Sequence, residues 1–191
     1  ITNRMQILAQ ANYGAELAYL TKVEYWQVLS RALMSTNAAD WGKTRQIYEK
    51  GRQAHYFSAE FLVGRSLLNN LTNEGIYDEV KDLVFEHGYH IDDILEEEND
   101  PGLGNGGLGR LGACFLDSAA TLGLPVTGYG ILYDYGLFRQ EIENGFQKEF
   151  PDDWIDDDGY PFLTARRDEK ELVHFEDFDV YAVPFDLPVI G

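Results

Sequence analysis

Apolar positions in the first half of the chain recur at helical spacing. Tyr19, Val23, Trp26 and Leu33, with Leu29 beside them, predict a helix over about 15–34. His55-Tyr56-Phe57 reads as a short strand, and Ser58 then offers an N-cap for a helix carrying Phe61, Leu62, Arg65 and Leu68. Ile76, Val80, Leu83, Val84 and His87 make another amphipathic stripe, closed by Gly88. A charged run, Glu96-Glu97-Glu98-Asn99-Asp100, leads into a glycine-rich stretch. Arg110 to Leu122 is apolar nearly all round and stops at Gly123, the pattern of a buried helix. From Leu124 onward the signals are those of strands. Asn144-Gly145 lies between Phe138-Arg139-Gln140-Glu141-Ile142 and Phe146-Gln147-Lys148-Glu149-Phe150. Asn-Gly accepts the positive φ angles of a type I′ turn, so this is a hairpin. Leu172-Val173-His174-Phe175 and Val180-Tyr181-Ala182-Val183 read as further strands, and the class is α/β without internal repeats.

Composition narrows the partners. The 191 residues, 45% hydrophobic, suit one domain or part of a larger one. The formal charge of −18 repels nucleic-acid phosphates and anionic membranes, while a neutral sugar chain meets no such barrier. No stretch reaches membrane-span length, and the opening residues lack a signal-peptide pattern. The one cysteine, Cys114, lies in an apolar run and reads as a buried thiol of a reducing, cytoplasmic protein. The chain opens on Ile1 and stops within strand-like sequence, so both ends read as cut.

The densest chemistry lies in Gly102-Leu103-Gly104-Asn105-Gly106-Gly107-Leu108-Gly109-Arg110. Glycines admit close approach of a ligand to backbone amides. The helix that follows would turn its free N–H groups and positive dipole end toward that ligand, which makes an anion site. Gly104, Gly106 and Gly109 satisfy the G-x-G-x-x-G dinucleotide pattern, but a charged run rather than an apolar strand precedes them. The acid that pattern requires has only Asp134 as a candidate, too far on. The plain alternative is an unliganded turn at a helix start, and five glycines between 102 and 109 argue against it.

Gly102 to Leu124, continued by Tyr129-Gly130-Ile131-Leu132-Tyr133-Asp134-Tyr135-Gly136-Leu137-Phe138, closely resembles the glycogen/starch/maltodextrin phosphorylases. Ser58-Ala59-Glu60-Phe61-Leu62-Val63-Gly64-Arg65, Asp152-Asp153-Trp154 and Ala182-Val183-Pro184-Phe185-Asp186 agree in the same order. The likeness covers most of residues 45–191. It implies a single incomplete lobe over 1–191: mostly helical over 1–100, glycine loop plus buried helix over 101–123, β-rich over 124–191. That lobe is the opening, Rossmann-like part of a two-lobed GT-B glycosyltransferase. The implied reaction is reversible phosphorolysis of α-1,4-glucan to glucose 1-phosphate, in a cytoplasmic homodimer. The implied cofactor is pyridoxal phosphate, bound by a lysine outside this chain. Gly106 and Gly107 would face the cofactor and substrate phosphates, and the Leu108 amide would face the glucosyl unit. The resemblance places no catalytic side chain within these residues. The sequence departs from the family in having no basic segment with a phosphorylatable serine before the first helix, so the animal-type phosphorylation switch is not expected.

Other residues carry two readings. Glu60 is either a first-turn acid complementing a helix dipole or, by the resemblance, a polar group near the active centre. Tyr135 is a candidate for stacking on a sugar face, whereas Tyr133 reads as core. Arg65 and Asp117 read as structural partners of opposite charges. Arg166-Arg167 reads as a solvated surface pair. The four histidines lack metal-ligand spacing, so no metal is expected. Two rivals remain: a nucleotide-sugar glucan synthase and a non-catalytic glucan-binding or dimer-forming fragment. Gly106-Gly107-Leu108-Gly109 resembles the synthase loop, but that loop lies near the chain start and leads into Asp, where Arg110 stands here.

Overall fold

The computed structural model describes residues 1–155 and 159–191. Its architecture is mixed α/β, with helices first and paired strands after. Helix α1, Thr2–Tyr13, ends at Gly14 in the left-handed conformation (φ 63°). No expectation covered it, because its buried side is only Met5 and Ala9, too narrow a stripe to stand out in the sequence. Helix α2 spans Lys22–Tyr48, later and longer than the expected 15–34. Leu17–Tyr19 is a separate 3-10 turn, leaving Tyr19 exposed. Thr21 explains the start. Its hydroxyl accepts from the Glu24 amide at 3.3 Å while the Glu24 carboxylate accepts the Thr21 amide at 2.7 Å, a reciprocal capping box. The first turns of α2 bury Tyr25 through Ser30, Ala32 and Leu33, whereas the last turns are largely exposed.

Strand β1, Ala54–Phe57, forms where expected. The helix expected after Ser58 does not. Residues 58–65 run without helix, and helix α3 begins only at Ser66 and ends at Asn73. The reason is competition for backbone bonds: the Phe61 amide donates to Leu103 O (2.8 Å) and the Leu62 amide to Gly109 O (2.9 Å). Ser58 caps nothing; its hydroxyl turns back to Glu60 O at 2.8 Å. Helices α4, Tyr77–Glu86, and α5, Ile91–Leu95, follow, with Gly88 closing α4 at φ 89°. Together α1 to α5 enclose one apolar core with Trp154, Tyr160 and Phe162 from the later chain.

Within the acidic run, Glu98 is buried (1% exposed). It accepts from the Ser66 and Leu67 amides at 2.6 and 2.9 Å and from the Tyr160 hydroxyl at 2.6 Å. The carboxylate thereby satisfies the free amides at the start of α3. Burial, the largest influence, raises its pKa, while these three bonds and Arg65 lower it. The Tyr160 hydroxyl is pushed far up by burial and by the neighbouring Glu98.

Helix α6, Gly107–Thr121, is followed by strand β2, Val126–Tyr129, which pairs parallel with β1 from Ala54↔Val126 to Phe57↔Tyr129. The helix lies over this pair: a Cβ on Gly112 would press on Phe61, and one on Gly128 would press on Leu116. Its burial is a correction. Leu111 and Phe115 are each 50% exposed, and Cys114 is exposed too. An all-round apolar helix can bury only the sides its neighbours cover, and β2 with Phe61 covers one.

The hairpin stands as expected. Strands β3, Arg139–Glu143, and β4, Phe146–Phe150, pair antiparallel around Asn144 (φ 52°) and Gly145 (φ 82°). Strands β6, Glu171–His174, and β7, Asp179–Ala182, form a second antiparallel pair. Strand β5, Thr164–Ala165, precedes this pair in sequence and itself pairs with β8, Phe185–Asp186, which follows it. Arg166 is not a solvated surface residue: its side chain is 19% exposed and meets Glu169 at 2.6 Å and Asp186 at 3.3 Å. Among the described residues no helix is long and apolar enough to cross a membrane.

Candidate functional site

The glycine loop is held by a short extended segment far from it in sequence. Phe61 and Leu62 bond both ends of the loop, at Leu103 and Gly109. Between those bonds the Asn105 amide donates to the Glu60 carboxylate at 3.1 Å. The loop glycines divide by environment. A Cβ on Gly104 would lie 2.7 Å from Leu62 N and 2.8 Å from Phe61 C, so backbone packs on backbone there. A Cβ on Gly102 would lie 2.6 Å from the Gly136 Cα and from the Trp154 ring. A Cβ on Gly109 would meet Leu62 N at 3.0 Å and the Glu60 side chain at 3.2 Å. Gly106 and Gly107 meet nothing within 4 Å, and neither has a positive φ.

Those two glycines stand where α6 begins. Gly106 is the N-cap, and no side chain caps this end. The first closed helical bond runs from the Arg110 amide to Gly106 O (2.9 Å), so the amides of Gly107, Leu108 and Gly109 precede the helical ladder. They carry the positive end of a 15-residue helix dipole. Arg110 is turned back, its guanidinium 3.4 Å from Leu62 O and 3.9 Å from Asp117. Backbone donors are therefore what the helix start offers, and they suit an anion. Leu108, the second residue of α6, is 55% exposed.

Glu60 reaches the loop, but not from a helix. The dipole reading of this residue falls with the missing helix, while its place beside Asn105 and Gly109 is directly seen. Tyr135 is exposed, and among the described residues no hydrogen bond or ring contact ties it to the loop. Only its neighbour Gly136 touches the loop, at Gly102. Tyr133 is more than core: its hydroxyl donates to Ala59 O at 2.9 Å and its carbonyl accepts from Trp154 Nε1 at 3.0 Å. Sequence reasoning missed this, although paired glycines at 102 and 136 mark a close crossing of two segments. Asp152 sits at that crossing, and burial raises its pKa, with Asp153 and Asp100 adding to the rise. Arg65 is paired as expected, with Glu96 at 3.2 Å and Asp100 at 3.7 Å, but at the surface rather than inside the fold, since both carboxylates are largely exposed. An apolar hollow of about 240 Å³, lined by Phe61, Leu103, Leu116 and Ile131, adjoins the loop at Leu103 but not at the α6 amides. Among the described residues no three His, Cys, Asp or Glu side chains converge as metal ligands.

Known proteins are similar to this sequence. Glycogen phosphorylase of Chlamydia trachomatis is 42% identical over 189 residues, covering 88% of this chain and 23% of that protein. Glycogen phosphorylase of Pasteurella multocida is 57% identical over 127 residues, 66% of this chain and 15% of the relative. The Bacillus subtilis glycogen phosphorylase is 39% identical over 189 residues, 89% of this chain and 24% of its own length. The chain thus spans about a quarter or less of the relatives it matches. The carbohydrate phosphorylase family model matches residues 84–183, which include the glycine loop, α6, both strands of the Asn144-Gly145 hairpin and Trp154. The chain belongs to the carbohydrate phosphorylase family.

Proposed function

We propose that this chain is the N-terminal part of a glycogen or maltodextrin phosphorylase, and that its α6 amides form one wall of the active site. The whole protein would cleave α-1,4-glucan ends with inorganic phosphate, releasing glucose 1-phosphate, as a cytoplasmic homodimer. The parallel β1–β2 pair under α6 would be the opening of a Rossmann-like lobe of GT-B type. One observation carries the reading: Gly106 and Gly107 are glycines that no packing in the chain requires, at an uncapped helix start. Space kept free of side chains beside unpaired amides is what an approaching phosphate needs.

The residues fit the phosphate end of pyridoxal phosphate and not its aldehyde. Lys22, Lys43 and Lys148 are engaged by Asp93, Asp40 and Glu143, and Lys170 lies over the Tyr181 ring at 4.5 Å. Lys50 and Lys81 are exposed, on the turn after α2 and on α4. When bound, the cofactor would supply a phosphate that relays a proton. The Gly107 amide would hold phosphate oxygen, and the Leu108 amide would orient the glucosyl unit. Each charge-assisted amide bond contributes about 1.5–3 kcal/mol, and the helix dipole about 0.3–2 kcal/mol more. These donors are preorganised, so they stabilise developing charge without reorganisation.

The test is Gly107→Ala in the full-length protein, assayed for glucose 1-phosphate from maltodextrin and phosphate. A methyl group over the amide should lower turnover by roughly 10- to 100-fold. Unchanged turnover would remove the loop from the mechanism.

A further inference from the structure

We infer that Tyr133 and Trp154 are positioning residues that brace the glycine loop, an inference that rests on the anion-binding reading of Gly107 and Leu108. Trp154 is buried, and its ring occupies the space a Cβ on Gly102 would need. Its Nε1–H donates to the Tyr133 carbonyl at 3.0 Å. From the same residue the phenolic hydroxyl donates to Ala59 O at 2.9 Å. Ala59 precedes Glu60, whose carboxylate takes the Asn105 amide at 3.1 Å. The loop is therefore supported at its entry by Trp154 and just before α6 by Glu60, and Tyr133 is joined to both supports. The bonds of the two residues run to Ala59 and to Tyr133 itself, not to Gly107 or Leu108, so both would act through the backbone they hold.

The consequence is geometric. Donors that stabilise a reacting anion must be held within about 0.5 Å of their productive positions. A loop of five glycines cannot hold itself so closely, because its backbone torsions are soft. The rigidity has to come from outside it: the Phe61 and Leu62 amides hold Leu103 and Gly109, and the brace adds a side-chain tie from the loop's entry at Gly102 to the Ala59–Glu60 segment that holds Asn105.

The experiment uses Tyr133→Phe, Trp154→Phe and the double variant in the full-length enzyme. Tyr133→Phe keeps the ring and deletes one hydrogen bond, whereas Trp154→Phe deletes the Nε1–H bond and also exchanges the buried indole for a smaller ring. KM for phosphate should rise about three- to tenfold in each. KM for maltodextrin should change by less than about twofold, since the brace acts on the phosphate donors. The double variant should be no worse than the stronger single, because both bonds serve one support. A lowered Tm with KM for phosphate unchanged would make the pair merely structural and overturn the inference. Multiplicative losses in the double variant would overturn the shared brace. Tyr133→Phe removes a single oxygen from a partly exposed ring, so it carries the test alone should the Trp154 variant fail to fold. Gly107→Ala runs in parallel. If it is impaired while the brace variants are normal, this inference fails and the site reading stands; if it too is normal, both fall.

Discussion

Gly104 and Gly107 sit three positions apart and meet opposite surroundings. A methyl on Gly104 would press on the Leu62 and Phe61 backbone at 2.7–2.8 Å, whereas one on Gly107 would meet nothing within 4 Å. Backbone cannot move aside as a side chain can, so Gly104→Ala should lower the urea-unfolding stability of the chain by roughly 1–3 kcal/mol. Gly107→Ala, at a helical position, should leave it unchanged or raise it by up to ~1 kcal/mol. Equal losses in the two variants would contradict this division of roles. The density of glycines was plain in the sequence, but which of them serves packing was not, because Phe61 and Leu62 decide it from far along the chain. Glu98 shows the same limit. It stands in a run of acids with nothing local to single it out, and only the fold buries it against Ser66, Leu67 and Tyr160. Glu98→Ala would leave those donors buried without an acceptor, at a cost of about 2–5 kcal/mol. Its raised pKa means that the folded chain holds this proton more tightly than the unfolded one. The contribution of this group is therefore greatest below the ordinary carboxylate value and declines as pH rises through the window between the unfolded and folded pKa values. Glu98→Gln should flatten that slope in stability measured against pH; an unchanged slope would assign it to other groups.

The elements that were legible are those whose signal is local. The β3–β4 turn needs two positive φ angles, and Asn144 and Gly145 supply 52° and 82°. Gly145→Ala places a Cβ in the left-handed region at a cost of about 1–2 kcal/mol. Both strands of this hairpin are exposed almost throughout, so the cost should appear as local opening. Hydrogen exchange of β3 and β4 amides should quicken by roughly 5- to 30-fold, with the buried turns of α2 unaffected. Equal acceleration in α2 would mean that the hairpin is tied into the main core. Elements whose form depends on distant partners were misread. Ser58 has the chemistry of a cap, yet the amides of Phe61 and Leu62 find better-placed acceptors at Leu103 and Gly109, and the helix waits until Ser66. For α2 the cap was present in Thr21 and Glu24, a reciprocal pair that apolar periodicity alone passes over. The long exposed end of α2 carries few apolar positions, so its spacing signal fades before the helix does.

At the scale of the molecule, the apolar surfaces and the site tell one story. Phe57 stacks on Tyr129 at 5.0 Å on the β1–β2 pair, with Phe57 76% exposed, and α6 leaves Leu111 and Phe115 half uncovered. The family resemblance was readable in the loop because close backbone approach restricts residue type there. Burial of α6 was not, because it depends on what covers the helix. The same dependence on surroundings governs the chemistry. At the start of α6 a Cβ on Gly106 or Gly107 would meet nothing within 4 Å; a phosphate held beside such open space would keep most of its contact with water, so amide bonds would gain little net energy. A net charge of −18 adds a general penalty for any anion. Lys22, Lys43 and Lys148 are engaged by carboxylates. The chain by itself is therefore expected to retain no pyridoxal phosphate and to produce no glucose 1-phosphate. The measurement is direct. Incubate the purified chain with the cofactor, dialyse, reduce with borohydride, and map any label; then supply maltodextrin and phosphate. Scattered, substoichiometric labelling without product is the expected result. Stoichiometric label on a single lysine together with measurable phosphorolysis would show that these residues carry a complete site, and the one-wall reading of α6 would have to be abandoned.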